Sequence, residues 1–326
     1  MSIWPASTAE SIGSPAPDFA ADVRAGLRRV GQKTIPPKYL YDDLGSLLFD
    51  AITRLPEYGV WRAELQLLEA NADAIATSAA PTLVVELGSG SAEKTRPVLR
   101  ALLARTPVTY CPVEISTGAL DISRRGLADL ESLTIRPFAR DYLAGLEEAL
   151  THRSTGARAL VLFLGSSLGN FEDADAQRFL QRVRRTMLPG DSLLLGADLD
   201  KPEARLLAAY DDALGVTAAF NMNLLVRMNR ELGADFDLAE FRHRARIDPV
   251  RRNVEMHIES RRDQIVAIAG DGFSVSFRRG ETIHTEISHK YSLTELDALT
   301  QRAGFRLARR WLDTDYAFAS GLYVAG

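Results

Sequence analysis

The chain has a single cysteine, Cys111, in 326 residues. That excludes a disulfide framework and any multi-cysteine zinc or iron–sulfur centre, and it fits a reducing compartment. Lysine is nearly as scarce: Lys33, Lys38, Lys94, Lys201 and Lys290 are the full set, and the other basic side chains are arginine. An excess of positive charge is missing too. Basic residues number 39 against 43 acidic ones, a formal net charge of −4, the wrong balance for a general nucleic-acid binder. The longest apolar run, Ala159 to Leu164, is far shorter than a membrane span. The opening MSIWPASTAESIGSPAP has neither a basic start nor an apolar stretch, so no signal peptide is expected. These absences lead us to expect a soluble, cytoplasmic monomer that binds neither nucleic acid nor membrane.

What is present alternates. Residues 1–17 are rich in Ser, Ala and Pro and are expected to fray. A short amphipathic helix follows from Asp18 to Arg29. From about Glu64 helices and strands take turns. Strands are expected at Thr82–Leu87, Val108–Ile115, Leu133–Phe138, Ala159–Leu164 and Ser192–Ala197, with helices near Lys94–Leu103, Ile122–Leu130 and Ala174–Met187. Such alternation predicts an α/β fold, a doubly wound parallel sheet of Rossmann-like type. Then the pattern changes. ARLLAAYDDALG, AAFNMNLLVRMNREL and DLAEFRHRA read as helices, and NVEMHIES, QIVAIA, FSVSFR and TIHTEIS as an antiparallel meander. Ser292 with Glu295 predicts a capping box for a helix to Ala303, and two final strands close the chain. The middle segment therefore reads as an insertion. We expect one domain from 63–198 plus 291–326, and a second, α+β domain from 1–62 plus 199–290.

The strongest motif is VVELGSGSAEKT, residues 84–95: strand, glycines, helix. Gly88 and Gly90 let backbone approach a ligand, and the following helix offers free N–H groups. A dinucleotide fingerprint needs a third glycine where Glu93 stands. The acidic Glu86 ahead of the glycines suits S-adenosylmethionine instead. Glu114, ending the second strand, could accept both ribose hydroxyls. Asp141, after the third strand, could accept from an adenine amine with Tyr142 flanking the ring, although a helix N-cap is its plain alternative. Three acids at successive strand ends line the crevice where such sheets bind ligands. The run FLGSSLGNF, residues 163–171, reaches the same edge with Asn170, which could also be no more than a turn residue.

Long segments then fix a resemblance. IPPKYLYDDLGSLLFDAITRLPEY, VVELGSGSAEKTR, LVLFLGSSLGN, LPGDSLLLGADLDK, AAYDDALGVTAAFN, NRELGADFDL and TEIS occur in order, and with them the chain closely resembles the histidine Nα-methyltransferases of ergothioneine biosynthesis. The resemblance implies a class I S-adenosylmethionine-dependent methyltransferase domain and a histidine-binding domain. It implies three methyl transfers to the α-amine of L-histidine, giving hercynine, with no metal. It places Tyr41, Gly88, Lys94, Glu114, Asp141 and Tyr142 at the cofactor, and Tyr41 also beside the acceptor amine. It places Tyr58, Gly165, Asn170, Tyr210, Met256, Glu286 and Ser288 at the substrate. Within that set Asn170 and Tyr210 grip the carboxylate, Asn170 being counted with Tyr41 as catalytic. Glu286 and Ser288 read the imidazole, and Met256 lines its pocket. Two residues apart on a strand, Glu286 and Ser288 share a face and can serve the two ring nitrogens. The sequence departs from the family at Tyr58-Gly59-Val60-Trp61-Arg62, where Tyr-Tyr-Pro-Thr-Arg is common, at Glu114, often Asp, and at Tyr142, often Phe.

Other readings remain at this point: a methyltransferase for another amino acid such as tryptophan, a non-catalytic sensor of the same ligands, or a nicotinamide-dependent dehydrogenase, which Glu93 disfavours. His152, His243, His257, His284 and His289 show no metal-ligand spacing along one helix and read as packed or solvated. Cys111 reads as a small core residue.

Overall fold

The computed structural model describes residues 19–326; the N-terminal Ser/Ala/Pro-rich segment expected to fray lies outside the described residues. In chain order the elements are α1 (Phe19–Leu27), β1 (Lys33–Thr34), α2 (Asp43–Thr53), α3 (Val60–Ala79), β2 (Leu83–Leu87), α4 (Arg96–Leu103), β3 (Val108–Glu114), α5 (Thr117–Gly126), β4 (Leu133–Ile135), β5 (Phe138–Ala139), α6 (Tyr142–Leu150), β6 (Ala159–Phe163), α7 (Asp173–Thr186) and β7 (Ser192–Asp198). Then come α8 (Glu203–Tyr210), α9 (Val216–Leu232), β8 (Phe241–Asp248), β9 (Asn253–Ser260), β10 (Gln264–Ile268), β11 (Phe273–Phe277), β12 (Thr282–His289), α10 (Leu293–Arg302), β13 (Phe305–Asp313) and β14 (Phe318–Ala325). No helix among the described residues is long and apolar enough to cross a membrane.

The described residues divide into two compact units. One comprises Gly59–Asp200 and His289–Gly326, the other residues 19–58 and Lys201–Ser288. The first holds the main sheet, in the order β13-β14-β7-β6-β2-β3-β4, with β5 continuing beside β3. Strands β2, β3, β4, β6 and β7 run parallel, and β14 enters antiparallel between β7 and β13. This is the class I methyltransferase architecture. The apolar runs follow from burial on both faces. In β2, Leu83, Val85 and Leu87 enter one core with the α6, α7 and α10 side chains, while Val84 enters the other with α3 and α4. In β6, Ala159, Val161 and Phe163 alternate in the same way with Leu160 and Leu162. Asp173 and Asp175 open α7 and Arg184 and Arg185 close it, matching its dipole. The capping box of Ser292 and Glu295 starts α10 as expected. Cys111 is buried, and burial pushes its thiol up to about 12.

The second unit has a sheet in the order β1-β12-β9-β8 and a separate β10–β11 hairpin. The expected meander is thus two structures: β9 lies between β8 and β12, and β10 pairs with β11 in a separate hairpin. DLAEFRHRA, expected to be helical, is a 3-10 turn running into β8. Its arginines recur every second residue, and Arg242 and Arg244 both bond Glu259 on β9. That period of two belongs to a strand. The helix expected near Ile122 begins earlier, at Thr117, because Ser116 caps it by accepting the Ala119 N–H. Helix α2 was not expected from the sequence, whereas α6 answers to the N-cap alternative given for Asp141. Asp42 and Asp141 cap them through Gly45 and Ala144.

Candidate active site

In the first unit, the chain leaves β2 toward β3 on one side of the sheet while β6 lies on the other. That reversal opens the ligand crevice of such sheets at the strand C-termini. Gly88 and Gly90 follow β2 with φ of 78° and 50°, values that glycine adopts without strain. The Gly88 N–H donates to Val113 O at 2.8 Å. Glu114 is buried; its Oε1 accepts the Ile115 N–H at 2.8 Å and its Oε2 lies 3.4 Å from the Gly90 nitrogen. One carboxylate thus ties the glycine turn to the end of β3. Within that turn Ser89 Oγ is buried with no hydrogen-bond partner among the described residues, which fits a site whose remaining polar group comes from a ligand.

Glu86 turns out to be structural. It accepts from Thr95 Oγ1 at 2.6 Å and from the Tyr110 hydroxyl, tying the head of α4 to the sheet. Burial pushes its carboxyl up to about 7. Asp141 caps α6, accepting the Ala144 N–H at 2.9 Å. Tyr142 turns its ring into the core, 5.4 Å from Phe163 and 6.0 Å from Phe179. This departs from the ring-flanking position expected of Tyr142: the first residue of α6 faces the core.

A residue the sequence reading passed over joins the crevice together. Glu64, on α3, is wholly buried. Its Oε2 accepts from Lys94 Nζ and from the Gly165 N–H, the latter at 2.7 Å. A Cβ at Gly196 would overlap its Oε1, so β7 needs glycine there. Gly165 begins the loop after β6, with φ 75°. The loop's other ties are Ser166 Oγ, accepting the Asp198 N–H at 2.9 Å, and Tyr291, whose hydroxyl donates to Leu168 O at 3.2 Å. Gly169 passes so close to His289 that a Cβ would lie 2.7 Å from its carbonyl oxygen. These contacts fix the turn carrying Asn170, which is buried.

The second unit gathers aromatic rings. Tyr41 stands edge-on to Phe49 and Phe220, at 5.6 and 5.2 Å. Tyr58 meets Phe49 and Tyr210, each at 6.2 Å. The Tyr210 hydroxyl donates to Ser288 Oγ at 2.8 Å. Glu286 and Ser288 are both buried on β12. Met256 is buried on β9, and its carbonyl accepts the Thr285 hydroxyl at 2.9 Å. Phe49 and Phe220 had not been singled out from sequence.

Residues 19–325 match the family described as histidine-specific methyltransferase, SAM-dependent. The chain belongs to that family. It is 41% identical over 313 residues to a histidine N-alpha-methyltransferase of Mycolicibacterium smegmatis, covering 95% of this chain and 96% of that protein. It is 40% identical to one from Mycobacterium tuberculosis, covering 98% of each. An L-tryptophan methyltransferase of Psilocybe serbica is 28% identical, over 93% of this chain and 92% of that protein.

As a SAM-dependent methyltransferase, the enzyme carries Gly88, Lys94, Glu114, Asp141, Tyr142, Gly165 and Asn170 in its sheet unit. Tyr41, Tyr58, Tyr210, Met256, Glu286 and Ser288 lie in the other. Gly59 precedes α3, and a Cβ there would overlap the Tyr316 ring.

Proposed function

We propose that this enzyme converts L-histidine to Nα,Nα,Nα-trimethylhistidine, hercynine, by three successive methyl transfers, within ergothioneine biosynthesis. The observation that carries this reading is the buried Glu286 and Ser288 pair on one strand, with Ser288 held by Tyr210. A carboxylate and a hydroxyl so buried suit a ligand offering one N–H and one further ring nitrogen. A ligand without them gives up those hydrogen bonds in a buried site, which is how such a pocket discriminates. An indole offers one N–H and no second ring nitrogen, so it suits the pair less well.

S-adenosylmethionine supplies the methyl group, already activated on a sulfonium. Gly88, Lys94, Glu114, Asp141 and the Tyr142 backbone are assigned to holding it. Asn170 and Tyr210 are assigned to the histidine carboxylate, Gly165 to the same end, and Met256 to the imidazole pocket. The acceptor must be a neutral amine. Burial and a neighbouring cation both lower an amine pKa, and two units cost about 2.7 kcal/mol of binding. Hydrogen bonds to charged groups contribute about 1.5–3 kcal/mol each, so Glu286 and Asn170 can offset that cost. Tyr41 orients the amine, and the rings of Tyr41 and Tyr58 suit the growing alkylammonium by cation–π attraction. No metal takes part, and the enzyme acts as a cytoplasmic monomer in this reading.

Glu286→Gln tests the assignment. The KM for histidine should rise about 10- to 100-fold, matching the loss of one charged hydrogen bond, while S-adenosylmethionine affinity by calorimetry stays unchanged. An unaltered KM would remove Glu286 from the substrate site.

A further inference from the structure

Three side chains of the second unit that the methyl-transfer reading does not use converge on one point. They are Glu255 and His257 on β9 and His284 on β12, and one ligand atom of each lies within 4.8 Å of the others. His257 Nε2 is 2.9 Å from Glu255 Oε2, and the two imidazole centroids are 5.0 Å apart. We infer that Glu255, His257 and His284 form a binding site for a zinc-like divalent cation, separate from the methyl-transfer chemistry. Histidine spacing along a helix does not reveal this cluster. Here the spacing is i, i+2 on one strand plus a neighbouring strand, which also aims ligands at one point.

Two imidazoles and a carboxylate are a common three-residue zinc set that leaves a position open to water. Each histidine has its other nitrogen supported, as metal-bound imidazoles require. His284 Nε2 sits 3.1 Å from the Glu286 carbonyl oxygen, which accepts its proton and leaves Nδ1 with a lone pair. His257 Nδ1 sits 3.2 Å from Thr282 Oγ1, which is held in turn by Gln32. Without metal, Nε2 donates to the Glu255 carboxylate; a cation would displace that proton to Nδ1, where Thr282 Oγ1 can accept it. Tetrahedral zinc, with bonds of about 2.0–2.1 Å, holds its ligands about 3.3 Å apart. The Glu255–His257 pair must open by only about 0.4 Å, and the widest pair must close by at most about 1.5 Å. Glu255 and His284 are half-buried, so both have room to turn.

Tag-free, chelator-treated protein, without histidine present, should be titrated with Co²⁺ and followed by visible absorption, then with Zn²⁺ in competition. One saturable equivalent is expected, displaced by zinc and weakened at least about tenfold in both Glu255→Gln and His284→Gln. His257 is buried and its replacement endangers the fold, so the half-buried pair carries the test, with circular dichroism confirming that both variants are folded. No saturable absorption, or saturation unchanged in either variant, would overturn the site.

Discussion

Glu64 Oε2 and the Gly165 N–H are joined by a buried hydrogen bond of 2.7 Å. The same oxygen receives Lys94. One carboxylate from α3 therefore sets the loop after β6 and the lysine after β2, the two segments that meet where the sheet reverses direction. Glu64→Ala leaves the lysine and a buried N–H without their acceptor. Removing one partner of a buried pair costs about 3–5 kcal/mol, and Lys94 keeps some solvent contact, so a loss of about 3 kcal/mol is expected by urea denaturation. S-adenosylmethionine affinity should fall in the milder Glu64→Gln. A loss below about 1 kcal/mol in Glu64→Ala would show that the pair does not organise the loop.

Lys290 and Asp198 form a fully buried ion pair at 2.8 Å. Lys290→Met should cost about 3–5 kcal/mol by stranding the carboxylate, whereas adding Asp198→Asn should restore much of it. Urea denaturation of the two single variants and the double variant measures the coupling. Additive losses would contradict it.

Glu86 gives a pH dependence of defined sign. Its folded pKa of about 7 lies above the ordinary 4.5, so the folded state holds a proton that the unfolded state releases between those values. The stability tied to that proton is fully present below pH 4.5 and is lost as pH rises to about 7. Glu86→Gln removes the slope. Between pH 5 and pH 8 the wild type should lose on the order of 2 kcal/mol relative to the variant, read from paired denaturation curves. Parallel curves would mean that Glu86 is charged throughout.

The ring cluster around Tyr41 separates hydroxyl from aromatic face. Tyr41→Phe keeps the edge-on contacts with Phe49 and Phe220 but loses the group assigned to orient the amine. Its kcat should fall about tenfold or more, the scale of one lost hydrogen bond. Tyr41→Leu should additionally slow the last transfer, where the alkylammonium is largest. Single-turnover mass spectrometry resolves the steps. Unchanged rates for all three methylations in Tyr41→Phe would exclude the hydroxyl.

Much of this was legible in the residues. The runs LVVEL and ALVLF show strands covered on both faces, and the glycines after β2 show where backbone must yield. Glu64 was harder to see because WRAELQLL reads as an ordinary amphipathic helix. Yet Val60, Ala63, Glu64 and Leu68 are all buried on it, and an acid inside an apolar stripe was the available signal. Glu86 misled in the opposite sense: its place before the glycines suggested a ligand contact, whereas Thr95 and Tyr110 claim both its oxygens. FRHRARID hid its strand because local charge suggested a solvated helix, while the pairing with Glu259 comes from a neighbouring strand. Tyr142 could not be oriented without α6, which Asp141 caps.

The most direct test of the central claim is mass spectrometry of the purified enzyme incubated with S-adenosylmethionine and each of the twenty amino acids separately. The expected result is a gain of three methyl groups on histidine alone, located on the α-amine. Methylation of tryptophan or another amino acid in place of histidine would contradict the imidazole-reading role given to Glu286 and Ser288.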